Sequence, residues 1–270
     1  MKKTKVRAPT NVKGKTITTG EIFSGGTMIE LVQAPQGSNK PHLLLWKGTG
    51  ATIATQVEYR DHIYEAPELT ANFYRATRFP ARCNNYQSLR ELFNEIATVF
   101  DQYLQLSERG SRLLTSFVIG TWLADHLPIS PNLVISGPDQ RLGIELLKLL
   151  SCLCRRPLLL TELTPGGFQS LPMQLSLTLL INQQSLRPSM LRLFHASSYR
   201  GLHLTGGRGV LIDIYGPKAI FAEAILSTSC LGNARFGSRS CNLGGDWRSW
   251  MMPHKQRFLT SSNRSYFLSD

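Results

Sequence analysis

The feature that most narrows the fold is an alternation. Three short apolar runs, Asn132–Ser136, Pro157–Thr161 and 177–181, are separated first by a loop at 137–142 and a segment of helical spacing at 143–154, then by a turn segment. Parallel strands cannot be joined by a tight turn and need crossovers, usually helical. Strand, helix, strand, turn segment and strand in this order predict an α/β core of parallel strands with crossover helices. A helix at 188–197, strands near Leu202 and at 210–215, and a helix at 217–226 are expected to extend it.

Upstream the period is different. Ile53, Thr55, Val57 and Tyr59 alternate in face, and Gly48-Thr49-Gly50 breaks the chain after Leu43-Leu44-Leu45-Trp46, which predicts an antiparallel hairpin. Runs at 17–23, 28–32 and 62–65 add strands to a small sheet of three to five. At 88–105 the spacing turns helical, with Leu89, Leu92, Phe93, Ile96 and Phe100 on one side and Ser88 with Glu91 forming a capping box. A second helix at 108–126 is apolar on more than one face and belongs inside. The expected division is a basic flexible tail at 1–15, a small antiparallel β domain at 16–66, a connector at 67–85 containing Pro67 and Pro80, an α/β domain at 86–236, and an irregular C-terminal tail at 237–270.

Of the 270 residues, 30 are basic and 18 acidic. Such an excess suits an anionic partner, DNA or RNA. The charge is unevenly placed. Residues 1–15 hold six bases and no acid and 231–270 hold six bases against two acids, so 16–230 carry 18 bases against 16 acids. No apolar run follows the basic start as a secretory signal would require, and the apolar stretch at 113–124 is too short to span a membrane. Cys83, Cys152, Cys154, Cys230 and Cys241 form no Cys-x-x-Cys pair, which fits reduced thiols in a cytoplasm. Cys152 and Cys154 read as buried apolar thiols in a helix. Cys230, Cys241 and His254 lack a fourth ligand and a recognised zinc spacing.

A phosphate-binding loop of the form G-x-x-x-x-G-K-[ST] works through backbone N–H groups at a helix N-terminus, a lysine on the phosphates and a hydroxyl on Mg²⁺. The context is present: strand 132–136 feeds Ser136-Gly137-Pro138 and a helix follows. The chemistry is not. Aligned from Gly137, Leu142 stands at the second glycine, Gly143 at the lysine and Ile144 at the hydroxyl.

Residues about 85–235 resemble the P-loop ATPase domain, of AAA+ type, of helicase-primase-like proteins from phages and mobile elements. The resemblance rests on Ser136-Gly137-Pro138 at a strand end, Arg156-Pro157-Leu158-Leu159 leading into the next strand, Thr178-Leu179-Leu180-Ile181 as the Walker B strand, and Gly216-Pro217-Lys218-Ala219-Ile220 after a later strand. It implies a P-loop-type parallel sheet with crossover helices, here preceded by the small antiparallel domain. It also implies acids at the Walker B positions, where Asn182 and Gln183 stand. Ser136, Gly137, Pro138 and Gly143 would then be a vestigial nucleotide loop and Asn182 and Gln183 a degenerate Walker B. Since phosphoryl transfer relies on positioning and electrostatics, this loss should abolish hydrolysis. No cofactor is expected, nor even weak ATP or Mg²⁺ binding.

No acid interrupts 183–211, which carries Arg187, Arg192, Arg200 and Arg208 with His195, Tyr199 and His203 interleaved. With Lys218 these are the candidate contacts to phosphate or nucleic acid. Arg155 and Arg156, at the end of the helix after the loop, are expected to complement its dipole. The leading expectation is a cytoplasmic, catalytically inactive P-loop ATPase-like binding module for nucleic acid in replication or mobile-element processes. The alternatives are an ATPase whose lysine comes from elsewhere, Lys148 or Lys218, and a shortened relative with no biochemical role of its own. No catalytic residue, metal ligand or oligomeric state is assigned.

Overall fold

Alternating apolar residues at the N-terminus build two small sheets. The computed structural model describes residues 14–34, 40–48, 50–84, 87–206, 209–225 and 267–268. Strands β2 (Gly20–Ile22), β3 (Met28–Val32), β4 (His42–Trp46) and β5 (Ala51–Ala54) form an antiparallel sheet in that order, while β1 (Gly14–Ile17), β7 (His62–Glu65) and β6 (Gln56–Tyr59) form a second. The expectation of one antiparallel sheet is corrected here, because β1 pairs with β7 in parallel. The run at 17–23 breaks where Gly20 N donates to the Thr18 hydroxyl at 3.2 Å, a local bond that turns the chain out of the ladder. Ile29, Leu31, Leu43, Leu45, Val57 and Tyr64 make the core of this part.

The connector is not wholly irregular. It holds a short helix, α1 (Ala71–Ala76), capped by the Thr70 hydroxyl, and six residues leave too little periodicity to read. Beyond it, α2 (Leu89–Leu104) starts at Ser88, whose hydroxyl accepts from Glu91 N at 3.2 Å. Helix α3 (Glu108–Leu123) buries Leu114, Phe117 and Val118, as expected of an interior helix. Among the described residues no helix is long and apolar enough to cross a membrane.

The remaining elements are β8 (Asn132–Ser136), α4 (Gln140–Leu153), β9 (Pro157–Thr161), α5 (Pro165–Gln169), β10 (Thr178–Leu186), α6 (Pro188–Ala196), β11 (His203–Thr205), β12 (Leu211–Asp213), β13 (Lys218–Ile225) and β14 (Phe267–Leu268). The main sheet runs β14-β8-β13-β10-β9 with every pairing parallel, so the fold is mixed α/β as expected. Leu133, Ile135, Leu180, Ala219 and Phe221 face α2, α3 and α4. Leu158, Leu179, Ile181, Ile220 and Ala222 face the side of α5 and α6.

Three expectations fail. The helix at 217–226 is the central strand β13; Ala219, Ile220, Phe221 and Ala222 are buried on both faces, and such a strand reads as a continuous apolar run without period two. Strands β11 and β12 pair only with each other, as an antiparallel hairpin. The C-terminal segment returns in part as β14 beside β8. The rest of that segment, including Cys241 and His254, residues 226–236 with Cys230, and residues 1–13 of the basic tail lie outside the described residues.

The N-terminal sheets are joined to the α/β part by buried charge. Glu30 lies in β3 between the core residues Ile29 and Leu31, so its side chain leaves the opposite face. Arg155 Nε and Nη2 donate to Glu30 Oε2 at 3.0 and 2.6 Å, and Nη1 donates to Asp125. Arg156 Nε donates to Glu30 Oε1 at 2.8 Å and Nη2 to the same oxygen; Nη1 and Nη2 also reach the carbonyls of Leu175 at 2.7 Å and Thr19 at 2.5 Å. Two buried cations therefore meet one buried carboxylate, Glu30, and one half-buried carboxylate, Asp125. The expected dipole-complementing role of these arginines is corrected accordingly. Burial pushes the Asp125 carboxyl up, but the charge and hydrogen bond of Arg155 outweigh it and hold the carboxyl below its ordinary value.

Two outcomes follow from this cluster. Glu30→Gln should cost about 3–5 kcal/mol in urea unfolding, because two buried guanidinium groups lose their shared counter-charge. Glu68→Gln, which removes the exposed pair with Lys40, should change stability by less than about 1 kcal/mol. A lowered folded-state carboxyl adds stability at pH above its unfolded value and loses it as pH falls through the folded one. Asp125→Asn should therefore flatten the acid limb of the stability profile.

Candidate functional site

In an open α/β sheet, ligands bind beyond the carboxyl ends of the strands. Here that edge holds the turns after β8, β9 and β10. The turn after β8 is short: Ser136 ends the strand, Gly137, Pro138 and Asp139 follow, and α4 begins at Gln140. Asp139 is the cap of α4, its Oδ1 accepting from Leu142 N at 3.1 Å. The chain's own carboxylate thus sits at the helix end where a phosphate would be attracted.

Gly143 is already in the first helical turn, its N donating to Asp139 O at 3.1 Å. A Cβ there would lie 2.4–2.5 Å from three atoms of the Phe221 ring, which is itself buried in the core of β13. The glycine is what lets α4 lie against the sheet. The lysine position is filled by packing, and Ser136, Gly137, Pro138 and Gly143 form a tight strand-to-helix turn with no wide loop.

Asn182 and Gln183 fall inside β10, which runs on to Leu186. Alternation along the strand sends them to opposite faces. Gln183 Oε1 accepts from Leu163 N at 3.2 Å and so holds the turn after β9. Asn182 shares the α4 side with Leu180, and its Oδ1 is buried without a hydrogen-bond partner. Among the described residues no group of three His, Cys, Asp or Glu side chains could hold a metal ion.

The basic candidates separate into three kinds. Arg187 and Arg192 are exposed, at the cap and on the body of α6, and among the described residues neither guanidinium has a hydrogen-bond or ion-pair partner. His195 and Tyr199 are exposed beside them, their rings 5.3 Å apart. Arg200 is structural: Nη2 donates to the carbonyls of Ala124 and Asp125 at 3.1 and 2.9 Å, and the guanidinium lies 4.3 Å over the Tyr215 ring. Arg208 lies outside the described residues.

Lys218 is not a solvated residue at a helix start. It opens β13, fully buried, its ammonium donating to the carbonyls of Ser197 at 3.2 Å and of Gly216, with the Phe168 ring 5.9 Å away. Paired with Asn132 at the start of β8, it stands four residues, roughly 13 Å, from Ser136. It cannot serve the turn after β8. Lys148 is exposed two turns along α4, equally remote. Burial pushes the Lys218 ammonium down to about 7, with Asp213 pulling back upward. Of the two cysteines read as buried, Cys154 is, its thiol pushed up to about 12 by burial, whereas Cys152 is exposed and accepts from Arg78 Nη1 at 2.9 Å.

Gly143→Ala should cost about 1–3 kcal/mol through overpacking, most of it recovered in the double variant with Phe221→Leu, as read by denaturant midpoints. For Lys218 the unfolded chain holds a proton between about pH 7 and the ordinary lysine value while the folded chain does not. Stability should then rise across that window by about 1.4 kcal/mol per pH unit, and Lys218→Met should abolish the rise.

No protein-family model matches the chain, and no curated protein matches it. Among the solved structures that match, the A-form apo structure of the C-terminal region of NrS-1 is similar with a TM-score of 0.35 and 8% identity. The match covers 73% of this chain and 54% of that one, so the chain spans about half the length of this neighbour. At that score the likeness assigns no family.

Proposed function

We propose that this protein is a binding module built on a P-loop-like α/β sheet, without nucleotide hydrolysis, and that it engages nucleic acid through α6. The observation that carries the first half is the closure of the helix end after β8, where Asp139 supplies the anion and Phe221 fills the space over Gly143. The second half is supported by the outward face of α6. Arg187 and Arg192 carry charge with no partner among the described residues, and His195 and Tyr199 add flat surfaces beside them. Cations that contact phosphate, interleaved with aromatic rings that stack on bases, are how single strands are held without sequence reading.

Mg²⁺-dependent ATP turnover should be absent from a clean preparation. Titration with single-stranded DNA at several salt concentrations should give a log–log slope near about −0.7 per contacted phosphate. Arg187→Ala and Arg192→Ala should each make the slope shallower by about 0.7 while leaving the thermal midpoint unchanged. A slope that does not respond to either variant removes α6 as the contact surface. ATP turnover that survives repurification removes the non-catalytic half of the reading.

A further inference from the structure

At the opposite end of the sheet lies a groove of about 630 Å³ between the connector, the end of α4 and the first residues of β9. Its shape follows from the connector's path. Thr77 ends α1 and pairs antiparallel with Leu158, and Arg78 N donates to Pro157 O, so residues 77–79 run along the edge of β9 and leave a trough beside it. The wall includes Tyr74, Arg75, Thr77, Arg78, Ser151 and Leu159, and no carboxylate.

We propose that this groove binds a phosphate group carried on a flat, largely apolar moiety, of about nucleotide size. Arg75 and Arg78 are exposed on the wall. Among the described residues the Arg75 guanidinium has no partner, and the Arg78 guanidinium engages only the Cys152 sulfur, with two of its nitrogens making no bond there. Thr77 is 4% exposed and its hydroxyl, enclosed behind the wall, has no hydrogen-bond partner among the described residues, an arrangement that costs stability. The Tyr74 hydroxyl accepts from Ala34 N at 3.0 Å and retains its own hydrogen.

Two of the last carbonyls of α4 are engaged, Leu150 O by Cys154 N at 2.8 Å and Leu153 O by Trp122 Nε1 at 3.0 Å. Apolar surface comes from Pro157, the exposed Leu159 and the stacked pair of Tyr74 and Phe79, whose ring centroids are 5.6 Å apart. The volume falls within the range of roughly 300–1,000 Å³ of small-ligand sites. A free nucleotide and the terminal phosphate of a strand offer the same chemistry to this wall.

The test is calorimetric titration of the full chain with inorganic phosphate, adenosine 5′-monophosphate and adenosine. Both phosphates should bind, and adenosine should bind at least tenfold more weakly than the monophosphate. Replacing both arginines, Arg75→Gln with Arg78→Gln, should weaken monophosphate binding by about tenfold or more, the loss expected for charge-assisted hydrogen bonds. Thr77→Val should raise the thermal midpoint of the free protein and leave monophosphate binding within about twofold, while Arg78→Gln alone should weaken it several-fold, a readout that stands even where the double variant folds poorly. Arg187→Ala should leave this titration unchanged, so failure at α6 and failure here are separable. Comparing oligothymidylates with a 5′-phosphate and a 5′-hydroxyl identifies the source: a preference for the first marks a strand end, and equal binding with the free monophosphate bound marks a free nucleotide. Equal binding of adenosine and its monophosphate, no binding of either phosphate at about 10 mM, or unchanged affinity in the arginine variants overturns the proposal.

Discussion

The structure depends on Glu30. Its two oxygens are divided between two consecutive arginines, one guanidinium on each, and the second carboxylate, Asp125, completes charge balance from the end of α3. Removing Glu30, Arg155 and Arg156 from water is costly, and such a cluster persists only where geometry and hydrogen bonding are nearly complete. Several local oddities follow from that demand. Gly20 has no side chain because a Cβ would approach the Arg156 and Arg155 Nη2 atoms at 2.9 and 3.0 Å. Arg156 takes a left-handed backbone, φ 45°, bending the chain between α4 and β9 while its side chain reaches into the cluster. Lysine could not replace either arginine, since a point charge cannot donate in parallel as Arg155 does to two carboxylates and Arg156 does to a carboxylate and two carbonyls.

That cluster also makes the antiparallel sheets and the parallel sheet one body. The connector then has a fixed course, tied at Gln33 N to Pro80 O and at Arg78 N to Pro157 O, and the groove beside β9 exists because both of its sides are anchored. A flexible link between two independent domains would leave no such trough.

The sequence was most informative where one residue type served one purpose. Ser88 with Glu91 marked the start of α2, and the apolar run Pro157–Thr161 was a strand to the residue. It misled where one pattern had two readings. Gly216-Pro217-Lys218 looks like a helix entry because proline favours a first helical turn, yet the following residues pack on both faces of a sheet, and only the tertiary neighbours decide between them. Arg155 and Arg156 at a helix end fit the dipole argument, and the partner that overrides it, Glu30, is 125 residues away from the first of them. Asp139 as a cap was legible in principle, being an acid three residues before a helical Leu142, but the comparison with a phosphate loop drew attention to Gly143. Thr77, Arg75 and Arg78 carried no signal: an unpartnered hydroxyl is visible only once its surroundings are known.

The same groups that would build a phosphate site at the carboxyl edge are occupied internally. Asp139 supplies the negative charge for α4, Gln183 directs its amide oxygen to Leu163, and Phe221 takes the volume over Gly143. Reversing any one leaves the others in place. A lysine at 143 must first displace Phe221 from the core, and even then its ammonium would meet the Asp139 carboxylate before any phosphate. A glutamate at 183 would still accept from Leu163 N, so its carboxylate would be committed to the turn after β9 as the Gln183 amide oxygen is now. Binding energy for an anion is therefore to be sought where cations remain uncommitted, on α6 and along the connector, and those two surfaces are set by elements on different edges of the fold.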